Sequence, residues 1–390
     1  MNESPGISVV IPCLNEEASI GQVVDAALAG IAAMKLPGEV IVVDNGSTDA
    51  STQIAVRHGA RVVAEEEKGY GAAVRQGFAG ARYGILVMGD ADLSYDLSKL
   101  GELVQPILDG EADLVVGNRM KNIRPGSMPG LHRYLGNPVL STLLRVMFHT
   151  YSVHDAHCGM RAISKRAYRA LRCVTTGMEF ASEMIVRAIH CGLRMTERDI
   201  VYHPRMGVSK LKSFQDGWRH LRFMLLHSPN TAVLLPGILV WLMGMAMAIP
   251  IAFGPVVVNG RAVDIHYMII GGLLNTVSIQ FITIGLLAKS YAHFSGLRFD
   301  PLVVWLFRTF TFERLILCTL PVIVIGLVIT LKVVVEWIAS GFGPLNEARL
   351  LFFGMLCLIN GTQLGAAGYL FSIMVLPRHI GPLPHETDLK

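Results

Sequence analysis

The chain has 390 residues, of which 52% are hydrophobic and only 16% charged, whereas about 25% is the usual charged fraction of soluble domains. The net charge of +4 is too small to indicate a nucleic-acid-binding protein, and the six cysteines contain no CxxC pair that would indicate a zinc or dithiol site. Charge becomes sparse after residue 230. Composition therefore predicts a soluble domain followed by a membrane region.

Short apolar runs alternate with helical patterns through the first half of the chain. Five strands are predicted, at residues 7–12, 40–44, 61–64, 85–88 and 114–116. Nearly continuous apolar strands separated by helices are typical of a parallel sheet that is covered on both faces. Ligands of such sheets bind at the carboxyl ends of the strands. The candidate site is therefore expected in the turns that follow these strands.

The second half of the chain contains four long apolar runs, each close to the ~20 residues that cross a bilayer. The predicted spans are residues 233–253, 267–288, 315–337 and 350–376. Basic and apolar residues mix just before the first span, which predicts an amphipathic helix in the headgroup layer. The predicted division is a soluble α/β domain at 1–210, an interfacial helix at 211–230, a transmembrane domain at 231–377 and a tail at 378–390.

The distribution of lysine and arginine among the short loops predicts the orientation of the spans. The loop between the second and third spans carries Lys289, Arg298, Arg308 and Arg314. The tail adds two more cations, so the soluble domain, this loop and the tail are expected on the cytoplasmic side of the cell membrane. The apolar segment 301–310 within that loop is flanked by arginines, and it is predicted to lie in the membrane interface.

Three acid-bearing turns follow predicted strands, at residues 12–17, 44–49 and 89–92. One such turn is usually only a helix cap, but three at one sheet edge indicate a site. Asp90 and Asp92 are two residues apart, which places both carboxylates on one side of an extended segment. Paired carboxylates suit a hard divalent cation, so the sequence predicts bound Mg²⁺ or Mn²⁺.

Together these segments resemble the family 2 glycosyltransferases with the GT-A fold, and within them the polyprenyl-phosphate enzymes such as dolichyl-phosphate mannose and glucose synthases. The matching segments are VVIPCLNEE (9–17), VIVVDNGSTD (40–49), KGYGAAVRQGF (68–78), GDADLSYD (89–96), VVGNR (115–119), DAHCGMRAI (155–163) and PRMGVSKLK (204–212). The resemblance implies an α/β, Rossmann-like nucleotide-diphospho-sugar transferase domain, followed by an α-helical transmembrane domain of about four helices.

The resemblance also implies which residues bind the donor. The nucleotide-sugar site would comprise Pro12, Asn15, Glu17, Asp44, Asn45, Ser47, Lys68, Gly71 and Asp90. Lys68 and the following glycines are equally typical of a plain helix start, so both interpretations stay open. Asp90 and Asp92 would hold the metal on the diphosphate of a UDP- or GDP-linked sugar.

Four cations would meet the acceptor phosphate or the leaving diphosphate: Arg119, Arg133, Arg205 and Lys210. Arg119 and Arg133 would act with Asp90 and Asp92 in catalysis. The chain departs from the pattern at Ser94, where many such synthases carry a glutamine that binds the metal.

The predicted reaction is a metal-dependent, inverting transfer of a hexose to a polyprenyl phosphate such as undecaprenyl or dolichyl phosphate. A phosphate acceptor is already anionic at neutral pH and needs no general base. A lipid hydroxyl acceptor would need one, and Glu179 and Glu183 are the candidates. A sugar or lipid transporter with a regulatory sugar-binding domain is a further alternative, and a homo-oligomer is left open.

Overall fold

The computed structural model describes residues 4–207, 213–252, 254–258, 261–294, 300–344 and 347–375. The chain divides into two compact units, Met1–His227 and Ser228–Lys390. The first is an α/β unit and the second is built mainly from long helices. The predicted Lys210 lies outside the described residues.

The first unit alternates strands with helices along the chain. Its elements are β1 (Ser4–Cys13), α1 (Ile20–Ala33), β2 (Gly38–Asp44), α2 (Ser51–Arg57), β3 (Arg61–Ala64), α3 (Tyr70–Gly80), β4 (Tyr83–Met88), α4 (Gly101–Leu108), β5 (Leu114–Asn118), α5 (Asn137–Phe148), β6 (Arg161–Ser164), α6 (Lys165–Leu171), α7 (Phe180–His190), β7 (Met195–Asp199) and α8 (Ser213–His227). A π-helical turn, His132–Gly136, leads into α5.

The seven strands form one sheet in the order β3-β2-β1-β4-β6-β5-β7. The pairs β1–β2, β1–β4, β2–β3 and β5–β7 are parallel. The expectation of a parallel sheet is wrong at β6, which runs antiparallel to both β4 and β5. Strands β6 and β7 were not predicted, because β6 contains only two apolar residues, Ala162 and Ile163, and β7 (Met195–Asp199) carries charged side chains.

The inner residues of β1 are apolar and buried up to the point where the polar turn begins. Val9, Val10 and Ile11 of β1 are completely buried. Helix α3 packs directly on this strand, since a Cβ added to Gly77 would lie 2.3 Å from the Val10 side chain. The carboxyl ends of β1, β2 and β4 therefore open onto the same edge of the sheet.

The second unit contains four helices that are long and apolar enough to cross a membrane. Its elements are α9 (Leu235–Ala252), the short strands β8 (Val256–Val258) and β9 (Arg261–Val263), α10 (Ile265–Phe294), α11 (Pro301–Thr309), α12 (Phe312–Ala339) and α13 (Ala348–Val375). The expectation of about four membrane helices is confirmed.

The region between the second and third long helices is more ordered than a plain loop. Lys289 lies inside α10, where it is buried and forms an ion pair with Asp300 at 3.0 Å. Asp300 also caps α11 by accepting a hydrogen bond from the Leu302 amide. With nine residues, α11 is too short to cross a bilayer.

Candidate active site

The turns after β1 and β2 are hydrogen-bonded to each other. The Asn15 side chain accepts a hydrogen bond from the Thr48 amide at 2.7 Å, and the Ser47 hydroxyl accepts one from the Asn15 amide at 3.0 Å. Asn15 holds a left-handed backbone conformation with φ of 51°, which asparagine tolerates better than most residues. Glu17 accepts from the Ala50 amide at 3.1 Å. The predicted nucleotide-binding residues of these two turns therefore share one polar surface.

Asp44 and Pro12 lie at the strand ends beneath this surface. The Asp44 carboxylate accepts a hydrogen bond from the Ser47 amide at 2.9 Å. Pro12 pairs in register with Val43, the residue just before Asp44. Both predicted residues thus lie at the carboxyl edge of the sheet, beside the turn that carries Ser47.

Asn45 and Lys68 connect β2 to the start of α3. The Asn45 amide group donates to the Glu65 and Glu67 carbonyl oxygens, while the Lys68 ammonium donates to the Asn45 carbonyl oxygen at 2.9 Å. Gly71 has its own packing reason to be a glycine, since a Cβ there would lie 2.7 Å from the Thr175 carbonyl oxygen. These predicted donor residues therefore have structural partners, and their role toward a ligand stays a prediction.

The acidic pair after β4 lies in a partly desolvated environment. Burial, reinforced by the neighbouring Asp92 carboxylate, raises the pKa of Asp90 to about 7. The Tyr70 hydroxyl donates to Asp90 at 3.1 Å. Asp92 accepts from both the amide and the hydroxyl of Ser94. Ser94 thus orients Asp92 in this structure.

The acidic pair fits a divalent cation. Mg²⁺ commonly uses one or two protein carboxylates and completes its shell with phosphate oxygens and water. Asp90 and Asp92 supply two carboxylates, and a bound cation would offset the burial and the neighbouring Asp92 charge that together raise the pKa of Asp90. Among the described residues no cluster of three or more histidine, cysteine or acidic side chains could hold a metal alone. The donor set is therefore suited to a metal that arrives with a diphosphate.

Arg119 is buried close to the acidic pair and is held by Asp155. Its guanidinium donates to the two Asp155 carboxylate oxygens at 2.7 and 2.8 Å, and also to the Tyr95 hydroxyl at 3.2 Å. Burial alone would lower the pKa of Arg119, but the adjacent Asp155 carboxylate outweighs that effect and holds the pKa well above its usual range. Arg119 is thus a fixed positive charge rather than a mobile one.

Arg205 also contacts the acidic pair, and Arg133 has other neighbours. The Arg205 guanidinium forms an ion pair with the Asp92 carboxylate. Arg133 lies in the π-helical turn before α5, with its guanidinium 5.4 Å from the centre of the Tyr134 ring. Its neighbours in the sequence include the exposed apolar side chains of Leu131, Tyr134 and Leu135.

Sequence reasoning assigned no role to several residues that shape the site. The Gly159 amide donates to the Tyr95 hydroxyl at 2.9 Å, and a Cβ on Gly159 would lie 2.9 Å from Asp90. The fully buried Arg161 donates to three backbone carbonyl oxygens, including those of Cys158 and Ala181. Gly159 and Arg161 both lie in the segment DAHCGMRAI, but no local sequence pattern indicates these roles.

Two sequence families match the chain. The family described as Glycosyl transferase family 2 matches residues 8–172, and the Glycosyltransferase family 2 C-terminal transmembrane region matches residues 286–375. The low-salt glycan biosynthesis hexosyltransferase Agl6 of Haloferax volcanii is 38% identical over 368 residues, which cover 94% of this chain and 88% of that protein. The chain belongs to glycosyltransferase family 2.

Other similar proteins match a smaller part of the chain. A dolichyl-phosphate hexose transferase of Haloferax volcanii is 32% identical over 214 residues, covering 54% of this chain and 89% of that protein. A solved structure of glucosyl-3-phosphoglycerate synthase from Mycobacterium tuberculosis with Mn²⁺ and UDP covers 58% of this chain and 80% of that chain, at 24% identity and a TM-score of 0.47. The predicted family, the GT-A fold and the enzymatic nature of the chain are confirmed: it is a membrane-embedded hexosyltransferase of family 2.

Proposed function

We propose that this hexosyltransferase moves a hexose from a UDP- or GDP-linked sugar to a polyprenyl phosphate at the cytoplasmic face of the cell membrane. The observation that carries the proposal is the arrangement of charge at one sheet edge. Two carboxylates suited to a metal–diphosphate lie beside two arginines, Arg119 and Arg205, suited to a second phosphate. The related dolichyl-phosphate hexose transferase supports the same acceptor class.

The donor end of the site would be organised by the acidic pair. Asp90 and Asp92 would hold Mg²⁺ or Mn²⁺, and a bound metal there would offset the charge that develops on the leaving diphosphate. Tyr70 and Ser94 keep the two carboxylates in place through their hydroxyl groups. The turns that carry Asn15, Asp44 and Ser47 would then accommodate the nucleoside.

The acceptor end requires positive charge and positioning. A phosphate monoester has its second pKa near ~6, so at neutral pH its oxygen attacks without a base. Arg133, with Arg205 and Lys210, would orient that phosphate for in-line attack at C1, since arginine can bind phosphate in bidentate fashion. Arg119, whose guanidinium is held by Asp155, would add a fixed positive charge beside it. A single displacement of this kind inverts the anomeric configuration.

Exposed apolar side chains on the catalytic unit support a lipid acceptor. Helix α8 exposes Phe214 by 90% and Trp218 by 53% of their surfaces. A second group of exposed apolar side chains lies in the turn before α5 and on α5 itself. Its members are Leu131, Tyr134, Leu135, Val139 and Val146. Helices α5 and α8 contact each other. Clustered exposed apolar residues are typical of a surface that enters the headgroup layer, and Arg133 would lie at the depth of a lipid phosphate.

One observation favours a second candidate, transfer to a lipid hydroxyl. Among the two candidate bases, Glu183 is fully buried and accepts hydrogen bonds from Val174, Thr175 and Arg187, so it is a structural residue. Glu179 has a buried carboxylate oxygen without a hydrogen-bond partner. A carboxylate of that kind could accept a proton from an alcohol.

The test compares the two acceptors with the full chain in detergent. Nucleotide release is measured for a panel of nucleotide sugars with a short prenyl phosphate, the matching prenol, or neither. We expect release that depends on the prenyl phosphate and is retained by Glu179→Gln. Release that requires the prenol and is lost in Glu179→Gln would replace the phosphate proposal, and sugar movement without lipid-dependent release would favour a transporter.

The cytoplasmic orientation is part of the same proposal, because nucleotide sugars are cytoplasmic. A membrane-impermeant maleimide applied to intact cells should label a cysteine introduced at the exposed Val257, between the first two long helices. It should not label one introduced at Lys390, and the parent chain with its own cysteines is the control. Labelling at position 390 alone would reverse the orientation.

A further inference from the structure

The Asp92 carboxylate is engaged on both of its oxygens. One oxygen accepts from the amide and hydroxyl of Ser94, and the other is contacted by the Arg205 guanidinium. Asp92 is 6% exposed, so solvent screens this ion pair only weakly. A metal ion on the same carboxylate oxygen would lie close to the guanidinium, and the repulsion between the two cations makes them compete for Asp92.

Backbone hydrogen bonds keep Arg205 beside the acidic turn. The His203 amide donates to the Ser94 carbonyl oxygen and the Met206 amide to the Asp92 carbonyl oxygen, both at 3.0 Å. The segment that carries Arg205 therefore runs alongside the turn that carries Asp92. Gly207 follows with φ of 92°, a left-handed conformation that marks the end of this paired stretch.

We propose that Arg205 is the resident counter-cation of Asp92 and that metal binding displaces its guanidinium, which then becomes available to the acceptor phosphate. The inference rests on the proposed function for the identity of that second anion. The metal would take the Asp92 oxygen now held by Arg205, while the paired backbone keeps the displaced side chain at the same sheet edge. Donor binding would thereby complete the acceptor site.

Two consequences follow from linkage, because coupling between two binding events is reciprocal. The Arg205–Asp92 ion pair opposes metal binding, so removing the guanidinium should strengthen it. Metal binding should in turn strengthen binding of a prenyl phosphate. Arg205 therefore weakens metal binding and strengthens the later binding of the acceptor phosphate. A residue that only binds the acceptor would have no effect on metal binding.

The first experiment measures Mn²⁺ binding by the full chain in detergent, from the magnetic resonance signal of free Mn²⁺, without sugar or lipid. We expect Arg205→Gln to bind Mn²⁺ about 3- to 10-fold more tightly than the wild type, the effect of losing an ion pair of ordinary strength. Arg194→Gln is the matched control, because Arg194 pairs with Asp113 before β5, at the opposite edge of the sheet. Unchanged or weaker Mn²⁺ binding by Arg205→Gln would overturn the displacement.

A double-variant comparison separates displacement from a general charge effect. Asp92→Asn is expected to weaken Mn²⁺ binding, so this background is titrated to a Mn²⁺ concentration at which the remaining site fills. There Arg205→Gln should no longer tighten Mn²⁺ binding, because the cations have lost the carboxylate for which they compete. Tightening of the same size in that background would overturn the inference. Circular dichroism and the unfolding temperature of each variant establish that the catalytic unit is folded.

The second experiment measures binding of a short prenyl phosphate with and without Mn²⁺. In the wild type we expect Mn²⁺ to tighten prenyl phosphate binding, and in Arg205→Gln we expect this coupling to disappear. Prenyl phosphate binding that is indifferent to Mn²⁺ in the wild type would overturn the transfer of Arg205 to the acceptor. The Mn²⁺ measurement uses no lipid, so it can fail or succeed independently of the proposed lipid-phosphate acceptor.

Discussion

The two units of this enzyme differ in the contacts that each has in its own interior. The catalytic unit buries ionised side chains deep in its core, including Asp155, Arg161 and most of Arg119. In the membrane unit the helices approach each other closely at glycines, and its described buried charges are Lys289 and Asp300 near one end of α10. We therefore expect the first unit to be most sensitive to the loss of charge pairing and the second to crowding at its glycine contacts.

Close backbone approach at a pair of glycines occurs in two helix pairs of the membrane unit. A Cβ on Gly271 of α10 would lie 2.8 Å from the Gly244 carbonyl oxygen of α9, and a Cβ on Gly326 of α12 would lie 2.7 Å from the Gly354 carbonyl oxygen of α13. Small residues allow membrane helices to pack where no hydrophobic force between helices acts. Each hairpin is thus built around a glycine pair, and α10 and α13 then join the two hairpins.

Loss of charge balance in the catalytic unit should have the largest effect. Asp155→Asn leaves the buried Arg119 guanidinium without a countercharge, and breaking a buried ion pair typically lowers the free energy of unfolding by about 3–5 kcal/mol. The change is measured by urea unfolding of the detergent-solubilised chain, with amide hydrogen exchange in β4 to β6 as the readout. Asp113→Asn removes the acid of an exposed pair with Arg194 and should have a much smaller effect; equal losses would contradict the comparison.

The sequence predicted the parts of the catalytic unit that depend on local pattern. Strand hydrophobicity predicted the five apolar strands, and turn chemistry predicted the acid-bearing turns after them. The strand that begins at Arg161 could not be predicted, because its charge is satisfied by the carbonyl oxygens of Cys158, Ala156 and Ala181, which only the folded chain brings together. The same is true of Asp155, whose partner Arg119 is 36 residues away along the chain.

The candidate site shows the same division. Asp90 and Asp92 were found from their spacing, and the structure places them at the expected strand end. The contact of Arg205 with Asp92 joins residues 113 apart in sequence, and no local pattern indicates it. Long apolar runs identified the membrane helices, but the glycine pairs that fix their packing carry no signal beyond composition.

The next largest effect concerns the metal. Asp92→Asn should leave the fold intact but lower turnover with Mg²⁺ present by roughly 100-fold, since metal stabilisation of developing charge contributes several kcal/mol. Asp96→Asn is the matched control in the same motif, because Asp96 only caps the turn Leu97–Lys99. Turnover near the wild-type rate in Asp92→Asn, measured as nucleotide release, would show that the metal assignment is wrong.

A smaller effect is expected from crowding a helix contact in the membrane unit. Gly271→Ala places a methyl group against the backbone of α9, and overpacking of this kind typically lowers the free energy of unfolding by about 1–3 kcal/mol. Unfolding by SDS in mixed micelles measures the change. Gly365→Ala is the control, because the nearest atom to its added Cβ is the Thr319 hydroxyl at 3.7 Å. If both variants unfold alike, backbone approach does not stabilise the hairpin.

The smallest effect should come from removing a hydrogen bond between the hairpins. The Asn360 side-chain amide of α13 donates to the side-chain oxygen of Asn275 in α10 at 3.0 Å, and its own oxygen accepts a longer bond of 3.4 Å from the Thr276 hydroxyl. Hydrogen bonds between membrane helices contribute only ~0.6 kcal/mol on average, because the separated helices find other partners. Asn360→Leu should therefore lower the free energy of unfolding in SDS micelles by about that amount.

The control for Asn360→Leu is Thr362→Leu, since the Thr362 hydroxyl bonds only within its own helix, to the Leu358 and Ile359 carbonyl oxygens. The comparison between the units would be wrong if Asn360→Leu were as damaging as Asp155→Asn. Polar contacts would then matter as much in the membrane unit as in the catalytic unit. If Asn360→Leu lowers the free energy of unfolding less than Gly271→Ala does, then the glycine contact matters more to the membrane unit than the hydrogen bond. We expect this order, because the added methyl group of Gly271→Ala meets the fixed backbone of α9, whereas the loss of the Asn360 hydrogen bond forces no backbone apart.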